Sequence, residues 1–218
     1  MKIASFDIGF KNFAFCIEEC GVCTIDKVCY KPDGTIADAC VETVRSVCRN
    51  GKLLLVVKED LVEGKSKDLA LACLNMSNLI DKHMDLLRRC NHFLIEKQCF
   101  FGRTCNPTAV SLAQHCYSHL VIRLGEEKLR QIQFFPAYHK TQILGMAKIK
   151  STRKTKTGKI RFKSDTKPNR KKWAVHKAQS ILSERGELKC ISDHKKKDDI
   201  ADVVLQAQAF KLLTFSNQ

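Results

Sequence analysis

The first nineteen residues constrain the fold most, because they read as two short strands joined by a tight turn. Residues 2–7 and 13–17 each alternate between two faces, and the Gly and Asn of residues 9–12 suit a hairpin turn. Asp7 is the exception in this pattern, since a carboxylate near the end of an apolar strand is costly unless it is exposed, paired or bound to metal. An exposed Asp that caps the turn is the simpler interpretation of Asp7 taken alone.

The charge of the chain indicates a polyanionic partner. The 218 residues include 38 Lys and Arg against 23 Asp and Glu, a formal net charge of +15. Nucleic acid is the usual partner of such a surface, and an acidic membrane surface is the second choice. No apolar run reaches the length of a membrane span, and Asp7 and Lys11 interrupt any signal-peptide pattern. We therefore expect a soluble intracellular protein.

The twelve cysteines favour neither disulfides nor zinc. Most stand singly in apolar runs, and the cluster of Cys16, Cys20 and Cys23 has no second Cys or His pair at the spacing of a zinc site. Without a secretory signal, reduced thiols that pack as small apolar side chains explain them better.

The order of elements predicts an α/β fold. The β-branched residues of 21–31 predict a third strand there, and the helical period predicts long helices in residues 67–90 and 106–123. Buried strands follow in residues 92–98 and 131–135. We expect a short helix in residues 36–49, an extra strand in 53–57, and helices in 173–182 and 196–213. This order suits one domain over residues 1–218, with a five-stranded mixed sheet: three antiparallel strands, two parallel strands and helices on both faces.

Carboxylates stand at the ends of three apolar elements. Asp7 and Glu96 close two strands, and Asp199 and Asp202 share one face at the start of the last helix. The helix dipole accounts for one of these two aspartates, but not for Asp202 among apolar neighbours. If the two strands are parallel neighbours, Asp7 and Glu96 meet at one edge of the sheet. Four carboxylates that repel one another suit Mg²⁺, and two such ions cleave phosphodiesters, so the pattern indicates a nuclease.

Residues 148–172 differ from the rest of the chain. They carry twelve Lys and Arg against one acidic residue, Asp165, with few apolar residues between them. Such a segment cannot bury a core, so we expect a flexible arm that clamps the DNA backbone. A solvated linker and a nuclear-import signal are the alternatives.

Four segments together resemble the motifs of RuvC-type Holliday junction resolvases, the poxvirus resolvases most nearly. They are residues 6–9 (FDIG), 94–98 (LIEKQ), 135–145 (FPAYHKTQILG) and 199–204 (DIADVV). The resemblance implies an RNase H-like fold and a homodimer that makes paired nicks across a four-way DNA junction with two Mg²⁺ or Mn²⁺ ions per site. It also implies work on viral replication and recombination intermediates in the cytoplasm of an infected cell.

The resemblance assigns roles to individual residues. The metal ligands would be Asp7, Glu96, Asp199 and Asp202, with Asp198 as a competitor of Asp199. A catalytic basic residue would fall at Lys172 or its neighbour Lys171. The expected DNA contacts include aromatic side chains that stack on an unpaired base and are otherwise core filling; the full set is Phe100, Phe101, Arg103, Lys140, Lys148, Lys150, Arg153, Lys154, Arg170, Lys171 and Lys172. An insertion at about residues 33–62 and the basic arm depart from the family pattern.

Other functions remain open on the sequence alone. Sugar-kinase and actin-like ATPases also begin with Asp-x-Gly, but this chain lacks their length and their Gly-rich loops. A non-catalytic DNA-binding protein would explain the charge and leave the carboxylates unexplained. A nuclease for flaps, other branched DNA or RNA/DNA hybrids fits the chemistry nearly as well as a resolvase.

Overall fold

A computed structural model describes residues 1–64, 66–99, 105–154 and 160–216. Its strands are β1 Lys2–Asp7, β2 Phe13–Glu19, β3 Lys52–Glu59, β4 His92–Lys97, β5 Ile132–Pro136, β6 Ile149–Lys154 and β7 Ile160–Lys163. Its α-helices are α1 Val41–Arg49, α2 Leu69–Lys82, α3 Met84–Leu87, α4 Pro107–Leu124, α5 His139–Ile143, α6 Lys167–Glu184, α7 Lys189–Ser192 and α8 Asp198–Phe215.

The central sheet has five strands in the order β3-β2-β1-β4-β5. β1 and β2 form the expected hairpin, and β2 pairs antiparallel with β3. β1, β4 and β5 run parallel. In the turn, Asn12 has a positive φ of 69°, and a Cβ on Gly9 would lie 2.8 Å from the Lys11 carbonyl oxygen. The mixed sheet predicted from the order of elements is therefore confirmed.

The third strand is not where the sequence pattern placed it. Residues 21–31 form only isolated bridges, Ile25 with Ser216 and Tyr30 with Ile36. Most of this segment is exposed, with Val22 at 74%. The continuous apolar run within β3 pairs with β2 instead, because it has side chains to pack on both faces of the sheet.

Two helix boundaries also differ from expectation. The long helix expected over residues 67–90 divides at His83 into α2 and α3, where the His83 ring packs edge-on against Phe15. α6 begins at Lys167 rather than at residue 173, since Pro168 suits a first helical turn. The basic region from residue 148 contains, in its described part, the separate β6-β7 ribbon and the start of α6.

The sheet separates two apolar cores. One face of β1 and β4 carries Phe6 and Phe93 against α2 and α4. The opposite face carries Ile3 and Leu94 against α8, α6 and α1. Five of the cysteines are buried among apolar side chains, as expected: Cys16, Cys20, Cys48, Cys90 and Cys116. Ser5 and Asp7 share the face of Ile3, and Glu96 shares the face of Leu94, so both carboxylates point toward α8.

α8 is buried on nearly all sides, and a charge cluster fixes its second half to the sheet. Glu18 of β2 accepts hydrogen bonds from Lys211 Nζ at 2.6 Å, Arg185 Nη1 at 3.1 Å and Gln208 Nε2 at 2.6 Å. Lys211 also donates to the Asn50 carbonyl at 2.8 Å. The carboxylate is thus fully satisfied inside the core, as a buried charge requires.

No helix in the described part of the chain has both the length and the apolar character that crossing a bilayer demands.

Candidate active site

Two carboxylates meet at the carboxyl ends of neighbouring parallel strands. β1 and β4 pair in a register that sets Phe6 opposite Ile95, so Asp7 and Glu96, one residue further along, lie side by side. Their carboxyl groups share a hydrogen bond. Burial and then the negative charge of Glu96 raise the pKa of Asp7 well above its usual range.

Lys140 joins this pair to α8. It lies in α5, directly after β5, and its side chain is buried. Its Nζ contacts Glu96 Oε1 at 2.9 Å and Asp202 Oδ1 at 3.0 Å. Burial opposes its positive charge, but the carboxylates of Glu96, Asp202 and Asp7 outweigh burial and raise the pKa of Lys140. Lys140 is therefore a permanent internal cation of the carboxylate cluster.

The two carboxylates that contact Lys140 have pKa values shifted in opposite directions. Burial opposes the ionisation of Glu96, yet Lys140 and the Asp7 hydrogen bond lower the pKa of Glu96. Burial raises the pKa of Asp202 although Lys140 acts against that shift. One lysine thus neutralises only part of the charge that three neighbouring carboxyl groups can carry.

Asp199 lies one turn earlier on α8 and is buried. Its Oδ1 contacts Lys196 Nζ at 3.3 Å, and Lys58 Nζ of β3 lies 4.0 Å from Oδ2. Oδ2 is buried without a hydrogen-bond partner among the residues that the structure describes. Burial and then the charge of Asp198 raise the pKa of Asp199.

Asp198 and Lys171 form an ion pair at the entrance to the cluster. Burial opposes the ionisation of Asp198, but the hydrogen bond and charge of Lys171 and the charge of Lys196 together lower the pKa of Asp198. Asp198 and Asp199 each have a lysine partner, so the choice of Asp199 as the ligand stays a prediction; Asp199 is the more buried of the two. Of the two lysines that the resemblance left open, Lys171 lies at the site, whereas Lys172 is exposed and lines none of the cavity described next.

A cavity of about 630 Å³ opens beside these groups. Glu96, Lys140 and Asp202 line its carboxylate side, and Pro136, Ala137, Tyr138 and Ala174 give it an apolar wall. Its cationic lining consists of Lys97, Lys167, Arg170 and Lys171. The cavity thus combines a cationic lining with carboxylate oxygens on one side.

The residues expected to contact DNA differ in their burial. Lys140 is buried in the carboxylate cluster and also lines the cavity, so its predicted DNA contact stays a prediction. The remaining described residues, Lys148, Lys150, Arg170, Lys171 and Lys172, lie on the β6-β7 ribbon, on the segment before it and on α6, and all but Lys148 are exposed. Phe100, Phe101 and Arg103, and the side chains of Arg153 and Lys154, lie outside the described part of the chain.

Two cations of the site were not anticipated. Lys196 lies in the segment just before α8 and pairs with Asp199, three residues further along the chain. Lys58 reaches Asp199 only because β3 joins the sheet, a pairing that the sequence pattern assigned to another segment.

No metal centre is preformed in the described residues: they contain no group of three or more His, Cys, Asp or Glu side chains arranged to hold an ion. The cation among the carboxylates is Lys140. Metal binding at this cluster therefore depends on the carboxylate oxygens that it offers as ligands.

Solved structures show the fold of this chain in other proteins. The Thermus thermophilus RuvC structure superposes with a TM-score of 0.51 and 13% identity, covering 99% of this chain and 98% of that one. RuvC of T. thermophilus in complex with a Holliday junction substrate superposes with a TM-score of 0.50 and 10% identity, covering 98% and 95%. At these identities the likeness concerns the RNase H-like fold.

Sequence relatives come from iridescent viruses. Uncharacterized protein 97L of Invertebrate iridescent virus 3 is 26% identical over 228 residues, covering 96% of this chain and 98% of its own length. Uncharacterized protein 170L of Invertebrate iridescent virus 6 is 30% identical over 227 residues, covering 97% and 89%. No protein-family model matches the chain. The poxvirus affinity stays a prediction. By its similarity along almost the whole sequence, the chain belongs to the family of iridescent virus protein 170L, and its fold is the RNase H-like fold of RuvC.

Proposed function

We propose that this chain is a metal-dependent endonuclease that resolves four-way (Holliday) DNA junctions by paired symmetric nicks. The observation that carries the proposal is the meeting of Asp7, Glu96 and Asp202, with Asp199 one turn away, beside a cavity with a cationic lining. A fold shared with RuvC, one structure of which is a complex with a Holliday junction substrate, supports the choice of substrate. The substrates in the cell would be viral replication and recombination intermediates.

The donor atoms fit a hard divalent cation. The candidate ligands Asp7, Glu96, Asp199 and Asp202 offer only carboxylate oxygens, which Mg²⁺ and Mn²⁺ prefer. Asp199 Oδ2 is buried with no hydrogen-bond partner in the described residues, so it could accept a bond from a bound cation. Burial, and then neighbouring carboxylates, raise the pKa values of Asp7, Asp199 and Asp202, and a bound cation would favour their ionised forms. Two bound ions would activate a water and stabilise the leaving oxygen of the phosphodiester.

The protein side chains supply positioning and charge. Lys140 fixes Glu96 and Asp202 relative to each other. Lys171 is placed to bind a phosphate at the cavity entrance, at the expense of its pair with Asp198, and is the candidate for the family's catalytic basic residue. Arg170 and Lys167 extend the positive surface toward the β6-β7 ribbon, so the DNA strand would run along α6.

Paired nicks require two active sites, so we propose that the single nuclease domain works as a homodimer. The α2-α4 layer, on the face of the sheet opposite the site, carries large exposed apolar side chains. Leu74 is 57% exposed and Ile122 is 77% exposed. Apolar side chains of this size on one layer support association with a second copy.

The test is cleavage of a labelled four-way junction compared with matched duplex, flap and RNA/DNA hybrid, in Mg²⁺, Mn²⁺ and EDTA. We expect metal-dependent nicks in opposing strands of the junction. Asp7→Asn and Glu96→Gln should each slow cleavage by at least about a hundredfold, because several kcal/mol of charge stabilisation is lost. Binding of the junction in EDTA should be unchanged in both variants.

The matched control is Asp26→Asn, which neutralises an exposed carboxylate outside the cluster and should cleave like the wild type. Junction binding without cleavage in either metal would leave a non-catalytic junction-binding protein. Preferred cleavage of the flap or the hybrid would establish a nuclease of the same chemistry with another substrate.

A further inference from the structure

The apolar wall of the cavity beside the carboxylates is not explained by binding a phosphate chain. Phosphates need positive charge and hydrogen-bond donors, which Lys171 and Arg170 provide. Pro136, Tyr138 and Ala174 instead present carbon surface to the same space. A volume of about 630 Å³ lies within the range of roughly 300–1,000 Å³ found for small-molecule sites. The cavity therefore suits a ligand with one apolar and one anionic part.

Tyr138 is the main feature of this wall. It precedes α5, and its carbonyl accepts hydrogen bonds from Thr141 Oγ1 and Gln142 N, each at 3.1 Å, so its backbone position is held. Its ring meets the His139 ring edge-on, with centroids 4.6 Å apart. Even so, Tyr138 is 55% exposed. A held but exposed aromatic ring next to cationic side chains is the arrangement with which proteins stack unpaired bases.

Gln98 adds a polar group to the same cavity. It follows β4 by one residue, and its Nε2 lies 3.4 Å from the Glu96 carbonyl oxygen. A side-chain amide offers a donor and an acceptor side by side, which is what the edge of a base requires. An aromatic face, an amide and a cationic lining thus surround one space, at whose floor lie Glu96 and Asp202.

We propose that this cavity receives one unstacked nucleotide next to the scissile phosphate, with the base on Tyr138. The inference rests on the proposed function and specifies the substrate further. It means that the site selects DNA in which a base leaves its stack at low cost, such as the nucleotide at a branch point, because unstacking a base within a duplex costs a few kcal/mol. Tyr138 is then a substrate-positioning residue.

The experiment places 2-aminopurine, whose emission rises when it leaves the stack and falls on aromatic contact, at each nucleotide that flanks the branch point of a four-way junction. Binding is measured in Ca²⁺ to avoid turnover. With the wild type and with Tyr138→Phe we expect an emission change confined to one position on each cleaved strand. Tyr138→Ala should abolish the change and weaken binding by about 5- to 150-fold, which corresponds to about 1–3 kcal/mol per stacked base.

Val22→Ala, at an exposed side chain outside the cavity, is the matched control and should behave like the wild type. Equal emission and affinity for Tyr138→Ala and Tyr138→Phe would overturn the proposal, as would equal loss in both. Cleavage in Mg²⁺ is measured on the same proteins. An emission change that depends on Tyr138 but comes without cleavage would reject the proposed nuclease activity and support the nucleotide subsite. Cleavage without that emission change would support the nuclease activity and reject the subsite. If no junction binds, a short single strand containing 2-aminopurine takes its place with the same two criteria.

Discussion

At the scale of single residues, the candidate site is defined by an excess of carboxylates around one ammonium. Asp7, Glu96 and Asp202 surround Lys140, and the pKa values of Asp7 and Asp202 are raised while that of Glu96 is lowered. A bound cation would favour the ionised forms of Asp7 and Asp202 and so lower their pKa values.

Lys140→Met tests this charge balance. Without metal, the free energy of unfolding should fall by about 3 kcal/mol, because the carboxylates lose their buried partner. Asp7→Asn should act oppositely and stabilise the metal-free protein by about 1 kcal/mol, since it removes a disfavoured charge. Added Mg²⁺ or Mn²⁺ should raise the Tm of Lys140→Met more than that of the wild type, which thermal unfolding measures.

The pH dependence has a definite sign. A carboxyl group whose pKa is raised on folding contributes stability below its unfolded pKa, and this stability is lost as pH rises through the folded pKa. As pH rises from the unfolded pKa of Asp7 through its folded pKa, the wild type should therefore lose stability relative to Asp7→Asn. Lys82→Met, at an exposed lysine, is the control for Lys140→Met. A Lys140→Met protein as stable as the wild type in EDTA would refute the counterion role.

At the scale of elements, α8 carries both the candidate ligands and the buried charge cluster. Its first turn presents Asp199 and Asp202, and its second half presents Gln208 and Lys211 to Glu18 of β2. The burial of Glu18 opposes ionisation, but Lys211 and Arg185 outweigh burial and lower the pKa of Glu18. The cluster thus fixes the helix on the sheet, and with it the position of its first turn.

Lys211→Met should destabilise the protein by about 3–5 kcal/mol, because a buried carboxylate loses a partner. A lowered carboxyl pKa contributes stability above the unfolded value of about 4.3, which is lost as pH falls through the folded pKa. Acid unfolding of Lys211→Met should therefore begin at higher pH than in the wild type. Urea titration across pH measures both effects. The exposed control Lys172→Met should match the wild type, and an unchanged acid transition in Lys211→Met would contradict the prediction.

At the scale of the whole molecule, positive charge is concentrated beside the candidate site. α6 and the β6-β7 ribbon contribute exposed Lys and Arg next to the cavity that contains the carboxylates. Part of the net charge of +15 thus lies along α6 and the β6-β7 ribbon, which is where we propose that a DNA strand binds.

Replacing Lys150, Arg161 and Lys163 with Ala should weaken junction binding and its salt dependence together. Each side chain that no longer neutralises a phosphate reduces the slope of log K against log salt by about 0.9, so the slope should fall by up to about 2.7. Fluorescence anisotropy over a range of KCl concentrations measures this slope. A matched triple variant at Lys82, Arg88 and Arg89, which are also exposed, should keep the wild-type slope. Equal slopes in the two triple variants would place the DNA elsewhere on the surface.

Much of the fold follows from local patterns. The β1-β2 hairpin, the buried β4 and β5 strands, α4 and α8 are read from periods of 2 and 3.6 residues and from the turn residues near Gly9. The parallel order then brings Asp7 and Glu96 to one edge of the sheet, so their proximity follows from the sequence once the topology is inferred.

Tertiary structure decided what depends on long-range partners. Which segment becomes the third strand depends on pairing with β2, and the apolar run of β3 outcompetes the exposed residues 21–31. Three ion pairs depend on partners distant in sequence: Lys140 with Asp202, Lys171 with Asp198, and Lys58 with Asp199. By itself the sequence determined on which face of its strand or helix each candidate residue lies, because periodicity is local. Ion pairs inside a site form between elements, so only the packed structure determined them.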